Sequence, residues 1–272
     1  MTDTLTIQGT DVPRLGFGTF QLAGDACREG VRDALTIGYR HIDTARGYEN
    51  ETEVGAGIRD AGVPRDQFFL TTKVPPEQAA PDAVRASAEG SLRDLGTDYV
   101  DLLLLHWPSP DVPLEQTLSA LQALQDEGKT RHVGVSNFPP GLVREALGHA
   151  ALFADQVEMH PFLGQGELLA LADEHDFTVT AYAPLAHGKV PDDPTLQEIG
   201  RAVGKSPGQV ALRWLLDIPR TTVIPKASSH ARRVENFDVF DFELSDDARA
   251  RIAALPKDQR DFDPPWAPDW DA

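Results

Sequence analysis

Cysteine is almost absent from this sequence. Cys27 stands alone among 272 residues, so no disulfide can form within the chain, and a reducing, cytoplasmic setting is expected. Long apolar runs are missing too; none is long enough to cross a bilayer. The opening Met-Thr-Asp-Thr-Leu-Thr-Ile lacks the basic stretch and apolar core of a secretory leader, so none is expected. Positive charge is scarce. Lys and Arg total 25 against 43 Asp and Glu, a formal net charge of −18, which argues against nucleic acid or an anionic membrane as partner. The few cations are mostly arginines, and the acidic surplus is spread along the chain. That pattern fits a halophilic protein with an acidic surface, or an ordinary acidic cytosolic one. No low-complexity linker divides the chain, which reads as a single domain over residues 1–272.

The apolar fraction, 41%, is enough for a sizeable core. Residues 5–15 read as a β-hairpin turning at Gly9–Asp11. Short apolar runs then alternate with amphipathic stretches, the rhythm of a parallel sheet. The predicted strands are Leu15–Thr19, His41–Thr44, Phe68–Val74, Val100–His106, His132–Asn137, Ala154–His160, Thr178–Ala183 and Thr221–Pro225. Helical stretches such as Asp25–Ile37, Ala80–Leu95 and Leu114–Glu127 lie between them, and Ser245–Leu255 follows the last strand. Beyond it runs a tail rich in Pro, Asp and Trp. A third glycine is missing from Gly16-Phe17-Gly18-Thr19-Phe20-Gln21, so the dinucleotide fingerprint of an open doubly wound sheet is incomplete. The expected fold class is therefore α/β, a (β/α)8 TIM barrel with an N-terminal β-hairpin and a C-terminal extra helix and tail.

Chemistry in such a barrel belongs at the C-terminal ends of the strands. Thr19 and Phe20, Asp43 with Tyr48 on its loop, Lys73, His106 and Trp107 all fall there. So do Ser136 and Asn137, then Gln156, Glu158 and His160, then Tyr182 and Lys226. A polar or aromatic residue recurs at the same end of all eight repeats. Each has a purely structural alternative, such as Lys73 in a barrel salt bridge or His106 as a satisfied core histidine. Their convergence on one mouth favours a site. Asp43 can keep a buried Lys73 charged, and a charged Lys73 is expected to lower the pKa of Tyr48 and make it a general acid. His106, uncharged, could donate a hydrogen bond to the same oxygen. No side chain supplies an electron pair, so the equipment implies a bound hydride donor.

At this point the chain resembles an aldo-keto reductase over nearly its whole length. The motifs are Gly-Phe-Gly-Thr-Phe at 16–20, His-Ile-Asp-Thr-Ala at 41–45 with Tyr48-Glu49-Asn50-Glu51, and Thr-Thr-Lys-Val at 71–74. They continue with Leu-Leu-His-Trp-Pro at 104–108, Gly-Val-Ser-Asn-Phe at 134–138, Ile-Pro-Lys at 224–226 and Arg-Val-Glu-Asn at 233–236. The resemblance implies a catalytic tetrad of Asp43, Tyr48, Lys73 and His106, and a nicotinamide cofactor bound without a Rossmann fold. It implies cofactor contacts from Thr19, Phe20 and Asp43, a carboxamide site at Ser136, Asn137 and Gln156, and a nicotinamide stack on Tyr182. Leu185, Lys226, Ser228, Arg232, Glu235 and Asn236 would hold the rest of the cofactor. The shortness of the chain resembles prokaryotic 2,5-diketo-gluconate reductases.

The chain departs from the family pattern at Ala227, where many members have a hydroxyl residue; Ser228 or Ser229 is the expected substitute. His187 and Gly188 replace a small hydroxyl stretch, and Asp192 and Asp193 make that loop acidic. Lys226, Arg232 and Arg233 form a local basic cluster, which predicts NADPH as cofactor, with NADH a weaker second. The substrate pocket is expected from Phe20, Tyr48, His106, Trp107 and Trp266, suited to small aldehydes, ketones or sugars. A monomer is expected, with no metal. Two rival readings are a metal-dependent hydrolase using Asp43, His106, Glu158 and His160, and a non-catalytic nicotinamide-binding regulator.

Overall fold

The computed structural model describes residues 3–271. Its first elements, Thr4–Ile7 (β1) and Thr10–Pro13 (β2), pair antiparallel with Ile7 opposite Thr10. The turn is Gln8–Gly9, both with positive φ, 47° and 78°. That pair matches the right-handed strand twist. The turn expected at Gly9–Asp11 is thus displaced by one residue, and Thr10 and Asp11 belong to β2.

Eight parallel strands follow: Phe17–Gly18 (β3), His41–Asp43 (β4), Phe69–Val74 (β5), Val100–Leu105 (β6), Thr130–Ser136 (β7), Ala154–Glu158 (β8), Thr178–Tyr182 (β9) and Thr221–Val223 (β10). Each hydrogen-bonds its sequence neighbour. The ends meet, because Leu15 bridges Val223 in parallel and the Val223 N–H donates to the Arg14 carbonyl at 2.8 Å. The sheet is therefore closed, and the fold is a (β/α)8 barrel. Every position of β5 and of β6 is buried, which is why these strands read as unbroken runs rather than alternations. Several strands stop short of the apolar runs. β8 ends at Glu158, and His160 instead bridges Leu163.

The helices are Gly24–Ile37 (α1), Glu51–Ala61 (α2), Pro81–Leu95 (α3), Leu114–Asp126 (α4), Pro140–Leu147 (α5), Gly166–His175 (α6), Pro194–Val203 (α7), Pro207–Asp217 (α8), His230–Phe237 (α9) and Asp246–Ala253 (α10). Proline opens α3, α5, α7 and α8, where its missing N–H costs nothing. Left-handed glycines close α2, α3 and α7. Inside the barrel, Gly134 lies so close to β8 that a Cβ would meet the Ala154 carbonyl oxygen at 2.4 Å. The hairpin plugs the N-terminal end: Ile7 and Val12 pack with Phe69, Leu102, Leu104 and Phe153. Chemistry is thereby confined to the opposite mouth.

One buried group works against stability. Asp155 on β8 is wholly enclosed, and no side chain among the described residues bonds either carboxyl oxygen. Burial pushes its pKa well up, and the Phe138 backbone amide opposes only part of that push. A free carboxyl titrates near pH 4, about the unfolded value. Above that pH the unfolded chain gives up this proton and the folded chain keeps it, so stability falls as pH rises toward the folded pKa. Asp155→Asn removes this slope. Its unfolding free energy relative to wild type should grow between about pH 5 and about pH 8. Denaturant melts at both values check this, and an equal difference at both contradicts it.

Candidate active site

The mouth opens into a cavity of about 1000 Å3. At its floor, β4 ends in Asp43 and β5 carries Lys73, and both are buried. Lys73 Nζ donates to Asp43 Oδ1 at 2.7 Å, to the Thr44 carbonyl at 2.8 Å and to the Tyr48 hydroxyl at 3.4 Å. The other Asp43 oxygen, Oδ2, accepts from Gln156 Nε2 at 2.7 Å. His106 follows β6, its ring edge-on to Tyr48 at 5.5 Å between centroids. Sequence positions 43, 48, 73, 106 and 156 thus meet in one cluster.

The loop after β4 is held by its own residues. Asn50 Nδ2 donates to the carbonyls of Thr19 and Leu22, both at 2.9 Å, and its oxygen accepts from Thr44 Oγ1 at 2.9 Å. Glu51 is buried in the first turn of α2 and accepts from Thr72 Oγ1 at 2.6 Å and from Arg46 at 3.0 Å. Tyr48 lies just before this anchor, in a 3-10 turn.

Burial and the charge of Lys73 pull the His106 pKa down to about 3, so the imidazole is uncharged near neutrality. Burial pulls Lys73 below its ordinary value, and Asp43 opposes this. Tyr48 runs against expectation. Its pKa stands well above the ordinary phenol value, through burial first and the charge of Asp43 second. Lys73 and Asp43 form a close pair, so the ammonium does not reach the phenol as an isolated charge.

Above the floor, the Tyr182 hydroxyl donates to Asn137 Oδ1 at 2.7 Å, and Asn137 Nδ2 donates to the His106 carbonyl at 2.9 Å. Ser136 Oγ donates to the Gln156 carbonyl at 2.8 Å. Asn137 holds φ at 64°, a left-handed conformation that Asn tolerates well. The cavity continues past Leu185 and the start of α8 at Ser206–Gly208. It ends at Lys226, Ser228, Arg232, Glu235 and Asn236.

Several expected residues stand elsewhere. Thr19 does not line the cavity; it is fully buried, with its hydroxyl donating to the Asp43 carbonyl at 3.0 Å. Gly18 and Gln21 line the wall there instead. Arg233 is no part of a basic cluster. It is buried, and it pairs with Asp33 at 2.6 Å and with the Ala227 carbonyl at 3.1 Å. Arg232 is exposed and pairs with Glu235 at 2.7 Å. Ser229 caps α9 by accepting the Arg232 N–H, which leaves Ser228 on the cavity wall. Asp193 caps α7, accepting the Leu196 N–H at 2.8 Å.

The tail closes one side of the mouth. Trp266 lines the cavity and lies edge-on to Trp107 at 4.9 Å, with Trp270 at 6.0 Å from the same ring. Phe262, which sequence reasoning missed, lines it too. Its ring lies 5.9 Å from Phe20, 5.3 Å from Tyr182 and 4.8 Å from His187. Nothing in an aperiodic Pro/Asp-rich segment singles it out.

A sequence model of the aldo/keto reductase family matches residues 14–257. The chain belongs to this family. It is an oxidoreductase of the carbonyl-reducing kind. A glyoxal reductase of Bacillus subtilis (strain 168) is 40% identical over 262 residues, 95% of this chain and 94% of that protein. A solved structure provisionally described as a 2,5-diketo-D-gluconic acid reductase B superposes with a TM-score of 0.97 at 43% identity, covering 100% of this chain and 98% of the other. An aldo-keto reductase of Bombyx mori, solved in complex with NADP, superposes with a TM-score of 0.90 at 32% identity, covering 96% and 95%. No helix among the described residues is long and apolar enough to cross a membrane.

Proposed function

We propose that the chain reduces the carbonyl of small aldehydes, ketones or sugars to an alcohol, small dicarbonyls foremost, with NADPH as cofactor and Tyr48 as general acid. The reading rests on one observation above all. The cluster of Asp43, Lys73, Tyr48 and His106 sits at the floor of a cavity that runs on to Lys226 and Arg232. Two of the similar proteins carry dicarbonyl substrates in their names, which supports the substrate class.

The lining suits an extended dinucleotide. Ser136, Asn137 and Gln156 offer amide and hydroxyl groups to a carboxamide, and Tyr182 offers a ring face. The N-termini of α8 and α9, with their positive dipole ends, border the middle and the far end. When bound, the nicotinamide supplies the hydride. The protein's part is the proton. An alkoxide is a stronger base than even a destabilised phenolate, so a Tyr48 that retains its proton still gives it up once the carbonyl oxygen gains charge. His106, uncharged, donates a hydrogen bond to that oxygen and does not compete as proton source. Phe20, Trp107 and Trp266 wall the substrate side. Less favours the rival metal reading: of its four candidate ligands, Asp43 is engaged by Lys73 and Gln156, and Glu158 and His160 engage each other at 3.1 Å.

NADPH oxidation followed against glyoxal, methylglyoxal, aromatic aldehydes, sugars and keto acids, at low and high KCl, tests the reading. Turnover with small dicarbonyls is expected, at a cytoplasmic pH and from a monomer. NADPH binding with no turnover on any carbonyl would favour the regulator instead. The salt arms address the halophilic reading, since ions would screen the self-repulsion of a net charge of −18.

Cofactor choice is a separate expectation. The exposed Arg232–Glu235 pair contributes little to stability, so the guanidinium is free to grip a 2′-phosphate. Arg232→Ala should weaken NADPH about tenfold and NADH less than about twofold. Dissociation constants for both cofactors at matched ionic strength decide. Equal weakening assigns the arginine to the adenine or the fold.

A further inference from the structure

Glu158 and His160 lie outside the proposed proton-transfer cluster, and both are wholly buried. With Asp261 they place ligand-type atoms within 4.8 Å of one another, yet each group already has other work. His160 Nδ1 accepts the Phe162 N–H at 3.2 Å, which leaves Nε2 to donate to Glu158 Oε1 at 3.1 Å. The Asp261 side chain pairs with Lys189 across the groove at 2.5 Å. What remains of the Glu158 carboxylate accepts backbone amides from the tail: the Asp261 N–H at 2.9 Å and the Phe262 N–H at 2.9 Å. Charge-assisted bonds of this kind are roughly twice as strong as neutral ones. They extend the hold on a segment that lies beyond the end of α10 at Ala253 and is otherwise paired through the Leu163–Asp258 bridge and the Gln259 N–H, which donates to the Phe162 carbonyl at 3.1 Å.

We infer that Glu158 is a positioning residue: oriented by His160, its carboxylate clamps the backbone of Asp261 and Phe262 and so fixes the Phe262 ring as a wall of the substrate mouth. Three contacts show what the clamp sets. Phe262 meets Phe20 on the substrate side, Tyr182 at the base and His187 on the loop after β9. Residues on both sides of Phe262 are also tied to one another. Arg260 stacks on Trp270 at 3.7 Å, and Trp270 Nε1 donates to Asp263 at 2.9 Å. Release of the amides at 261 and 262 would therefore let this unit swing as one piece, carrying Trp266 from Trp107. The inference rests on the reductase reading for its kinetic arm but not for its structural one.

Glu158→Gln keeps the shape and places an amide NH2 where backbone N–H groups need an acceptor. Trypsin should then remove the tail at Lys257 or Arg260 about tenfold faster than from wild type, because local opening governs such cleavage. KM for glyoxal should rise about tenfold with kcat within about threefold, the mark of lost uniform binding. Phe262→Ala leaves the clamp intact. It should raise KM alike while the tail stays as resistant to trypsin as in wild type. In the double variant KM should rise no further than in Glu158→Gln alone, since both act through one ring. Wild-type trypsin resistance in Glu158→Gln overturns the clamp, and an unchanged KM in Phe262→Ala overturns the wall. Wild-type protein that turns over no carbonyl would instead overturn the reductase reading, and the trypsin arm would still decide the clamp.

Discussion

Tyr48→Phe lowers kcat by at least about a hundredfold and changes the NADPH dissociation constant by less than about twofold, if the phenol is the general acid. The substitution removes one atom. The ring still packs against Phe20 at 5.0 Å and His106 at 5.5 Å, and Lys73 Nζ still lies 5.0 Å from its centroid. Asp43 and the Thr44 carbonyl continue to hold Lys73. Little structural loss is available to explain a kinetic one. Steady-state turnover with glyoxal, paired with fluorescence titration of NADPH, gives both numbers. Turnover like that of wild type would end the assignment.

Lys73→Met has a larger total effect, because two consequences overlap. It strips the cation from a buried carboxylate, which costs about 3–5 kcal/mol when one partner of such a pair is removed. It also removes the hydrogen bond that fixes the Tyr48 hydroxyl. Asp43 would keep only Gln156 as a side-chain partner. Lys73→Met combined with Asp43→Asn separates the two consequences. The double variant should regain most of the lost melting temperature and remain at least about a hundredfold slow. Recovery of activity together with stability would show that the pair serves the fold alone.

The barrel was legible because its periodicities are local. Each apolar run is a strand buried on both faces, and each proline or glycine boundary acts within its own turn. The floor of the candidate site was legible for the same reason, since Asp43, Lys73, His106 and Asn137 each stand at or beside the end of a strand run. Arg233 was misread because neighbours on a helix point about 100° apart. Arg232 therefore faces the cavity while Arg233 faces Asp33. For Tyr48 the sequence shows a nearby lysine but neither the desolvation that raises the phenol's pKa nor the Asp43 charge that adds to it. Phe262 was invisible because bonds to Glu158, a hundred residues away in sequence, order the tail rather than any repeat of its own. Glu158 took a role in the sequence reading only through the rival metal hydrolase. Only the tail amides reveal what its oxygens accept.

The most direct measurement follows a single atom. NADPH carrying deuterium on its transferable C4 position is incubated with glyoxal and the protein, and the product is read by mass spectrometry and NMR. The account predicts an alcohol with one deuterium on the new carbinol carbon, formed at a rate that collapses in Tyr48→Phe. An alcohol without label, or label released to solvent, would contradict it.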